Sequence, residues 1–180
     1  MNLPNILSLF RLVVTAFFIM FAAYRRYDIA LLLFVLQAIS DLLDGFFARR
    51  MGAKTTLGSY LDPAADKVML AGSYIILCFQ DIIPLWLLFV VLVRDVVITL
   101  GFLALLNKGL QMGPVPTLPS KTTTVFQMLT VVYLLWMLWS GSTMRSFDNL
   151  FFYITGLLTV VSGCQYVFSG WTVLFKKEIV

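Results

Sequence analysis

The sequence predicts an all-α integral membrane protein with six transmembrane helices and both termini in the cytoplasm. Hydrophobic residues make up 61% of the 180 residues and charged residues only 12%, a balance that ordinary soluble domains do not have. Apolar segments of about 20 residues, the length that crosses the hydrocarbon core as a helix, recur along the whole chain. The basic residues between these segments fall mostly on one side, which indicates the orientation.

The six segments are interpreted as one membrane domain covering residues 1–180, because no internal repeat divides the chain. We expect Asn2–Ser8 to form an interfacial turn before the first segment. The longest connection, Asn107–Ser120, contains three prolines and two glycines and is expected to be irregular. It is either a simple connector or a flap over a cytoplasmic site. The predicted spans are residues 7–24, 29–49, 57–79, 83–106, 121–140 and 148–173.

Lysine and arginine are distributed unevenly between the two sets of connections. With the N-terminus inside, the opposite side carries only Arg25, Arg26 and Arg145, whereas the cytoplasmic side carries seven basic residues. The positive-inside rule therefore predicts that both termini are cytoplasmic. We interpret the net charge of +4 as an orientation signal. A nucleic-acid partner is not predicted, because no basic run and no basic–aromatic face exists. The seven basic residues are Arg49, Arg50, Lys54, Lys108, Lys121, Lys176 and Lys177.

Histidine is absent from the sequence, which removes the most frequent general base and transition-metal ligand. Acid–base chemistry would therefore fall to aspartate, lysine, tyrosine or the single glutamate, Glu178. Cys78 and Cys164 lie in apolar surroundings in different predicted spans. We interpret both cysteines as small buried hydrophobic residues rather than as a disulfide or a ligand pair.

Four of the nine acidic residues are concentrated in one 26-residue window flanked by apolar sequence. A carboxylate inside a bilayer costs several kcal/mol unless it is compensated, so an intramembrane acid indicates a functional site. Converging carboxylates favour a hard divalent cation such as Mg²⁺, which takes oxygen ligands. The four residues are Asp41, Asp44, Asp62 and Asp66.

Helical spacing predicts that these acids meet. Asp41 and Asp44 share one face of the second span, and Asp62 and Asp66 share one face of the third. Asp41 precedes the cytoplasmic end of its span by eight residues, roughly 12 Å at 1.5 Å per residue, and Asp66 lies at about the same depth. A short connection, Arg50–Thr56, makes the two spans antiparallel neighbours. We therefore expect the four carboxylates at one level in the cytoplasmic leaflet.

Small residues beside the acids leave a strip without large side chains. Gly45 and Ala48 could admit either a bulky ligand or a closely packed partner helix, and Gly58 has the same two interpretations. Arg49 is either a positive-inside anchor or a phosphate ligand through its guanidinium fork. Arg11, just inside the first span, is interpreted either as snorkelling to the headgroups or as a phosphate contact.

The pattern D-x2-D-G-x2-A-R-x8-G-x3-D-x3-D, which begins at Asp41, resembles the signature of the CDP-alcohol phosphatidyltransferase family at every fixed position. The length, the six spans and the opening segment Pro4–Arg11 are similar to the family as well. The resemblance implies an integral membrane enzyme of a bacterial-type inner or cell membrane whose active site faces the cytoplasm. It also implies transfer of the phosphatidyl group of CDP-diacylglycerol to an alcohol with release of CMP, and a homodimer.

The resemblance further implies a role for each residue of the motif. Asp41, Asp44 and Asp62 would hold two divalent metals, Mg²⁺ or Mn²⁺. Asp66 would contact one metal and act as the base that takes the proton of the incoming hydroxyl. The residues implied to contact the CDP-lipid are Asn5, Ser8, Gly45, Ala48, Arg49, Thr55 and Gly58.

Two downstream segments, Arg94–Asp95 and Pro119–Thr123, resemble two bacterial-type subfamilies, the phosphatidylglycerophosphate synthases and the CDP-lipid-dependent cardiolipin synthases. Arg94 and Lys121 are the candidates to hold an acceptor phosphate, although Arg94 could instead pair with Asp95 or Asp62. The expected acceptor is sn-glycerol 3-phosphate, which would give phosphatidylglycerophosphate. Because Asp95 and Phe102 depart from the Glu and second Arg that are frequent in phosphatidylglycerophosphate synthases, phosphatidylglycerol remains an alternative acceptor.

Two other classes of function are less consistent with the pattern. An intramembrane prenyltransferase also binds a diphosphate through metals, but it has a second aspartate cluster far downstream, which this chain lacks. A divalent-cation transporter would distribute its acids along a pathway and would not need the Gly-x2-Ala-Arg strip. Release of CMP from a CDP-lipid distinguishes the three classes.

Overall fold

The computed structural model of the chain describes the backbone of residues 3–51, 58–107, 118–142 and 146–175, and side chains within 10–40, 67–101, 119–142 and 149–169. All regular secondary structure in these ranges is helical, which confirms the all-α class. The helices lie close to the six predicted spans. They are α1 (Leu3–Ala23), α2 (Tyr27–Met51), α3 (Gly58–Phe79), α4 (Leu85–Asn107), α5 (Leu118–Trp139) and α6 (Ser146–Phe175).

The start of α1 differs from the prediction. We expected a turn over Asn2–Ser8, but the chain is helical from Leu3 onward, so the expected turn is wrong for that part of the segment. Pro4 suggested a break in the helix. A proline in the first turn of a helix is tolerated, however, because the backbone N–H that it lacks would have no partner inside the helix.

The chain divides into two compact units. The first comprises Met1–Ile82 together with Val131–Met144, and the second comprises Ile83–Thr130 together with Arg145–Val180. Helix α5 contributes its residues up to Thr130 to the second unit and its remaining residues to the first. The assignment of residues 1–180 to a single functional domain stays a prediction.

In the first unit, α1 packs against both α2 and α3. Phe18 of α1 and Phe34 of α2 are fully buried and their ring centroids lie 5.6 Å apart. Gly72 lies where α3 approaches α1 closely, since a Cβ at this position would lie 2.8 Å from Cδ1 of Ile19. These contacts bury an apolar layer between α1 and its two neighbours.

Gln80, directly after α3, connects one end of the three helices. Its Oε1 accepts a hydrogen bond from the Tyr27 hydroxyl at the start of α2 (2.9 Å), and its Nε2 donates to the Ala22 carbonyl at the end of α1 (2.7 Å). Because the start of α2 lies beside the end of α3, these two helices run antiparallel. The ends of α1 and α3 lie together, so α1 and α3 run parallel.

In the second unit, α4 and α6 run parallel and close together. Trp86 stacks on Tyr153 with ring centroids 5.6 Å apart and covers Gly156, where an added Cβ would lie 2.6 Å from the indole. Further along both helices, the side chain of Arg94 lies against Gly163. A Cβ added at Gly163 would lie 3.6 Å from Cγ of Arg94. Glycine on α6 therefore accommodates the large side chains of α4.

Buried polar side chains connect α5 to α6. Later residues of α5 bond to earlier residues of α6, so these two helices are antiparallel. Thr123 Oγ1 donates to the Leu158 carbonyl (3.0 Å), and the hydroxyls of Thr130 and Thr155 share a hydrogen bond of 2.7 Å. Hydrogen bonds of this kind stabilise helix pairs in apolar surroundings, where an unpaired polar group is costly.

The described helices have the apolar surface expected of a membrane-associated protein. By length and composition, Pro119–Trp139 and Asn149–Ser169 could each cross a membrane, and Phe10–Ala23, Tyr27–Ser40 and Lys67–Phe79 are shorter apolar stretches. Large apolar side chains on α4 and α6 are exposed. The count of six spans and the cytoplasmic location of the termini stay predictions.

The two cysteines are free, and neither is fully buried. Cys78 is half-buried, whereas Cys164 is exposed on α6. The expectation of a buried side chain is therefore wrong for Cys164. An apolar sequence environment indicates burial in a soluble core, but on a helix with an exposed apolar face it does not distinguish the interior from that face.

We predict that the hydrogen bond between Tyr27 and Gln80 stabilises the first unit measurably. Tyr27→Phe and Gln80→Leu should each lower the free energy of unfolding, and a double-mutant cycle should give a coupling of about 0.6 kcal/mol, the average for interhelical bonds in membrane proteins. Equilibrium unfolding of the purified variants in detergent measures the free energy of unfolding and hence the coupling. Tyr24→Phe, at an exposed tyrosine, is the matched control and should have no coupling to Gln80→Leu; equal coupling for both tyrosines would contradict the prediction.

Candidate active site

The acidic motif lies on the last part of α2 and the first part of α3. Asp41 and Asp44 belong to α2, and Asp62 and Asp66 belong to α3. Their side chains lie outside the described residues, so the convergence of their carboxylates stays a prediction. Among the side chains that the structure describes, no group of three or more His, Cys, Asp or Glu could hold a metal.

The backbone register supports a common level for the two pairs of acids. The hydrogen bond between Tyr27 and Gln80 fixes α2 and α3 relative to each other at one end. Asp41 follows Tyr27 by 14 residues, and Asp66 precedes Gln80 by 14 residues. At 1.5 Å per residue both positions lie about 21 Å from that hydrogen bond. Two antiparallel helices thus carry their acids at matching distances from one fixed point.

Helix α1 holds α2 one turn before the motif. Gln37 donates through Nε2 to the carbonyl of Arg11 (3.1 Å) and to Oγ1 of Thr15 (2.7 Å), and all three residues are buried. The carbonyl can only accept, so the amide nitrogen must face α1. Asp41 follows Gln37 by one helical turn, and these contacts therefore fix the height of the motif against α1.

Arg11 does not snorkel to the surface. It is only 5% exposed and lines a cleft of about 120 Å³ between α1 and α2, together with Gln37 and Ser40. The interpretation of Arg11 as a headgroup anchor is therefore wrong. Its alternative role as a phosphate contact stays a prediction.

The residues predicted to contact the CDP-lipid are distributed over three helices. Thr55 lies outside the described residues, and for the others the structure gives the position on the helix but not the side chain. Asn5 and Ser8 are on α1, Gly45, Ala48 and Arg49 are on α2, and Gly58 begins α3.

Arg94, a residue of the predicted acceptor site, connects three helices of the second unit. Its side chain is 8% exposed and forms an ion pair with Asp95, with Nη1 donating to Oδ1 at 2.8 Å. Nη2 donates to Oγ of Ser120 (2.8 Å) and lies 3.3 Å from Oγ of Ser162. The guanidinium therefore connects α4 to the start of α5 and to the middle of α6, and the pairing of Arg94 with Asp95, one of the sequence alternatives, is present.

The contact with Ser120 places Arg94 beside the residue that precedes Lys121, the other predicted acceptor residue. Arg94 is buried and Lys121 is exposed in the first turn of α5. Arg94 precedes the end of α4 by 13 residues, about 20 Å. Helix α5 therefore begins beside the middle of α4, and the last 13 residues of α4 continue beyond this contact.

An open groove of about 720 Å³ runs between α4 and α6 in the second unit. Its lining is almost wholly apolar and includes Phe89, Val93 and Phe168, with the stem of Arg94 at mid-length. A groove of this composition accommodates hydrocarbon and offers little to a polar ligand.

Sequence reasoning missed the residues that hold the candidate site. Ser120 and Ser162 support Arg94, and Gln37 fixes α2, but no supporting role was predicted for any of them. A signal was available in the spacing of the polar residues. Ser and Thr recur at intervals of three, four and seven within the apolar segments that became α5 and α6, at 120, 123, 130 and at 155, 159, 162, and such a stripe indicates a polar contact between helices.

Comparison with known proteins identifies the family. The sequence model of the family described as CDP-alcohol phosphatidyltransferase matches residues 1–163. The chain is 32% identical to a CDP-diacylglycerol–glycerol-3-phosphate 3-phosphatidyltransferase of Aquifex aeolicus over 98% of this chain and 100% of the relative. It is 29% identical to the protein of the same name from Wigglesworthia glossinidia brevipalpis, over 98% and 99% of the two chains.

A relative with a different name is nearly as similar. The chain is 30% identical to a probable cardiolipin synthase (CMP-forming) of Drosophila melanogaster, over 94% of this chain and 58% of the relative. Both kinds of relative match nearly the whole chain, and the family model extends from the first residue into α6. The protein therefore belongs to the CDP-alcohol phosphatidyltransferase family.

Proposed function

We propose that this enzyme transfers the phosphatidyl group of CDP-diacylglycerol to sn-glycerol 3-phosphate, giving phosphatidylglycerophosphate and CMP. The observation that carries the proposal is the similarity to glycerol-3-phosphate phosphatidyltransferases over the full length of both chains. It is supported by the complete acidic motif between Asp41 and Asp66, by Lys121 at the start of α5 and by Arg94 of α4, which contacts Ser120.

Asp41, Asp44 and Asp62 are proposed to hold two divalent cations, Mg²⁺ or Mn²⁺, with Asp66 in contact with one of them. The chemistry of the donor set fits such ions, because carboxylate oxygens are the ligands that hard divalent cations prefer. The bound cations would neutralise the diphosphate and stabilise the charge that develops during displacement. The matched levels of Asp41 and Asp66 on α2 and α3 support this assignment.

Asp66 is proposed to be the general base. It would take the proton from the primary hydroxyl of the acceptor as the hydroxyl oxygen attacks the phosphorus of the phosphatidyl group. The bond between that phosphorus and the bridging oxygen breaks, and CMP leaves with the oxygen. The absence of histidine from the sequence leaves a carboxylate as the natural choice for this role.

The CDP moiety is proposed to lie on the small-residue strip of α2 and α3. Gly45, Ala48 and Gly58 leave room for it, and Arg49 provides a cation for the diphosphate. Asn5, Ser8 and Thr55 are proposed as further polar contacts. The acyl chains can remain in the leaflet, so no interior pocket is needed for them.

Arg94 and Lys121 are proposed to hold the phosphate of the acceptor. The contact between Arg94 and Ser120 supports this role, because it brings the guanidinium to the residue that precedes Lys121. A buried guanidinium near an exposed lysine suits an anion that arrives from the aqueous side.

Phosphatidylglycerol is the second candidate acceptor, which would make the product cardiolipin. The similarity to the Drosophila protein favours it, as does Phe102 where many glycerol-3-phosphate enzymes carry a second arginine. For either acceptor we propose a homodimer in a bacterial-type inner or cell membrane, with the active site facing the cytoplasm, where the excess of basic residues is expected.

The proposed function predicts the product of a defined assay. Purified enzyme with CDP-diacylglycerol and Mg²⁺ should release CMP with glycerol 3-phosphate and form phosphatidylglycerophosphate, resolved by thin-layer chromatography. Phosphatidylglycerol, serine and inositol phosphate are supplied in parallel. Cardiolipin as the main product would identify phosphatidylglycerol as the acceptor. A product formed from serine or inositol phosphate would exclude both glycerol 3-phosphate and phosphatidylglycerol.

We predict different defects for the two ends of the acidic motif. Asp66→Asn should lower kcat by about 10²–10⁴-fold, the usual cost of losing a general base, while the apparent affinity for CDP-diacylglycerol is retained. Asp41→Asn removes a metal ligand, so it should also raise the Mg²⁺ concentration required for half-maximal activity. Titration of Mg²⁺ after treatment with EDTA measures this difference. Identical metal dependence and identical rate loss in the two variants would contradict the division of roles.

The two proposed subsites predict opposite changes in KM. Lys121→Ala should raise the KM for glycerol 3-phosphate about tenfold, because a charge-assisted contact is worth roughly 1.5 kcal/mol or more, and should leave the KM for CDP-diacylglycerol nearly unchanged. Arg49→Ala should do the reverse. Initial rates with each substrate varied separately measure both constants, and a shared effect on one substrate would refute the separation.

A further inference from the structure

Arg94 is balanced by an internal carboxylate at the place where the acceptor phosphate is proposed to bind. Arg94 and Asp95 are 8% and 12% exposed, and Nη1 of Arg94 lies 2.8 Å from Oδ1 of Asp95. A cation as buried as this would be unfavourable without a counter-ion. The carboxylate therefore stabilises Arg94 and at the same time offsets the positive charge that an anionic ligand would use.

The donors of the guanidinium are incompletely used. Nη2 is directed to the hydroxyls of Ser120 and Ser162, which are neutral acceptors. Nε is buried and has no hydrogen-bond partner among the described residues. Buried N–H groups are rarely left without a partner, and an oxygen-rich ligand is one way to supply it.

The pair of Arg94 and Asp95 is not imposed by helix geometry. Adjacent residues on a helix point about 100° apart and do not face each other. Contact requires the long arginine side chain to bend round α4 toward Asp95. The contacts of Nη2 with Ser120 and Ser162 do not involve Asp95. A different rotamer of Asp95 would therefore remove the counter-ion and leave these two contacts of the guanidinium in place.

We propose that Asp95 is a specificity-determining residue, an internal counter-ion that the phosphate of the acceptor must displace from Arg94. The proposal rests on the acceptor site assigned above. With Asp95 in place, a neutral alcohol has nothing to offer Arg94, and only a strongly anionic group replaces the carboxylate. Asp95 thus lowers the affinity for the acceptor but selects for its phosphate.

Asp95→Asn tests this inference, since it removes the negative charge and keeps an oxygen that can accept from Nη1. The KM for glycerol 3-phosphate should fall about three- to tenfold, because the repulsion between two anions a few Å apart is of that order when bulk water screens it. The KM for CDP-diacylglycerol should stay unchanged. Asp81→Asn makes the same chemical change at an exposed turn and should alter neither constant. An unchanged or raised KM for glycerol 3-phosphate in Asp95→Asn overturns the inference.

A double-mutant cycle shows whether Asp95 acts through Arg94. In an Arg94→Gln background, Asp95→Asn should no longer lower the KM for glycerol 3-phosphate; a fall as large as in the native background would overturn the inference. Asp95→Glu, which keeps the charge, should not reproduce the fall seen with Asp95→Asn. Thermal unfolding of each variant identifies any that is misfolded.

Binding of inorganic phosphate separates this inference from the proposed function. Calorimetric titration of the purified protein should show phosphate bound several-fold more tightly by Asp95→Asn than by the native chain. Failure of the native enzyme to form phosphatidylglycerophosphate would refute the proposed acceptor alone, because the phosphate titration does not depend on turnover. Equal phosphate affinity in the two proteins would refute the role of Asp95 even if the enzyme is active with glycerol 3-phosphate.

Discussion

Pairing of polar groups within apolar helices is the constraint on which the rest of the structure depends. An unpaired polar group in such surroundings is costly, and several polar side chains among the described residues lie where two or three helices meet. Gln80 connects the ends of α1 and α3 to the start of α2. Gln37 connects α1 to α2 one turn before the acidic motif. Each of these contacts fixes a register that apolar packing alone would leave free to slide.

The same constraint relates stability to chemistry in the second unit. Arg94 is held by two serines and one carboxylate, and the glycine at 163 allows its stem to lie against α6. A charge that is kept in an apolar bundle for a ligand must also be tolerated when the ligand is absent. In the role proposed for Asp95, an internal counter-ion meets both needs, because it lowers the cost of burial and would be exchanged for the phosphate of the acceptor.

The relatives and the geometry contribute different parts of the functional conclusion. Similarity over nearly the whole chain establishes the family, but relatives whose names give different reactions are almost equally similar. We therefore propose that the choice of acceptor depends on a few local groups, among them Arg94 and Asp95, which lie beside Ser120 of α5, and the neighbouring Lys121. Measurements on these residues are more informative about the acceptor than overall identity is.

The sequence by itself determined the helical class, the approximate bounds of all six helices and the family, because long apolar segments and a fixed acidic pattern are local features of the chain. It did not determine that α1 begins at Leu3 instead of after a turn, that Cys164 is exposed or that Arg11 is buried. Those depend on which neighbour covers each face of a helix. Only the tertiary structure decided that Gln80 aligns α2 with α3 and that Ser120 and Ser162 hold Arg94, since such partners lie as far as 68 residues apart in the chain and no local pattern specifies them.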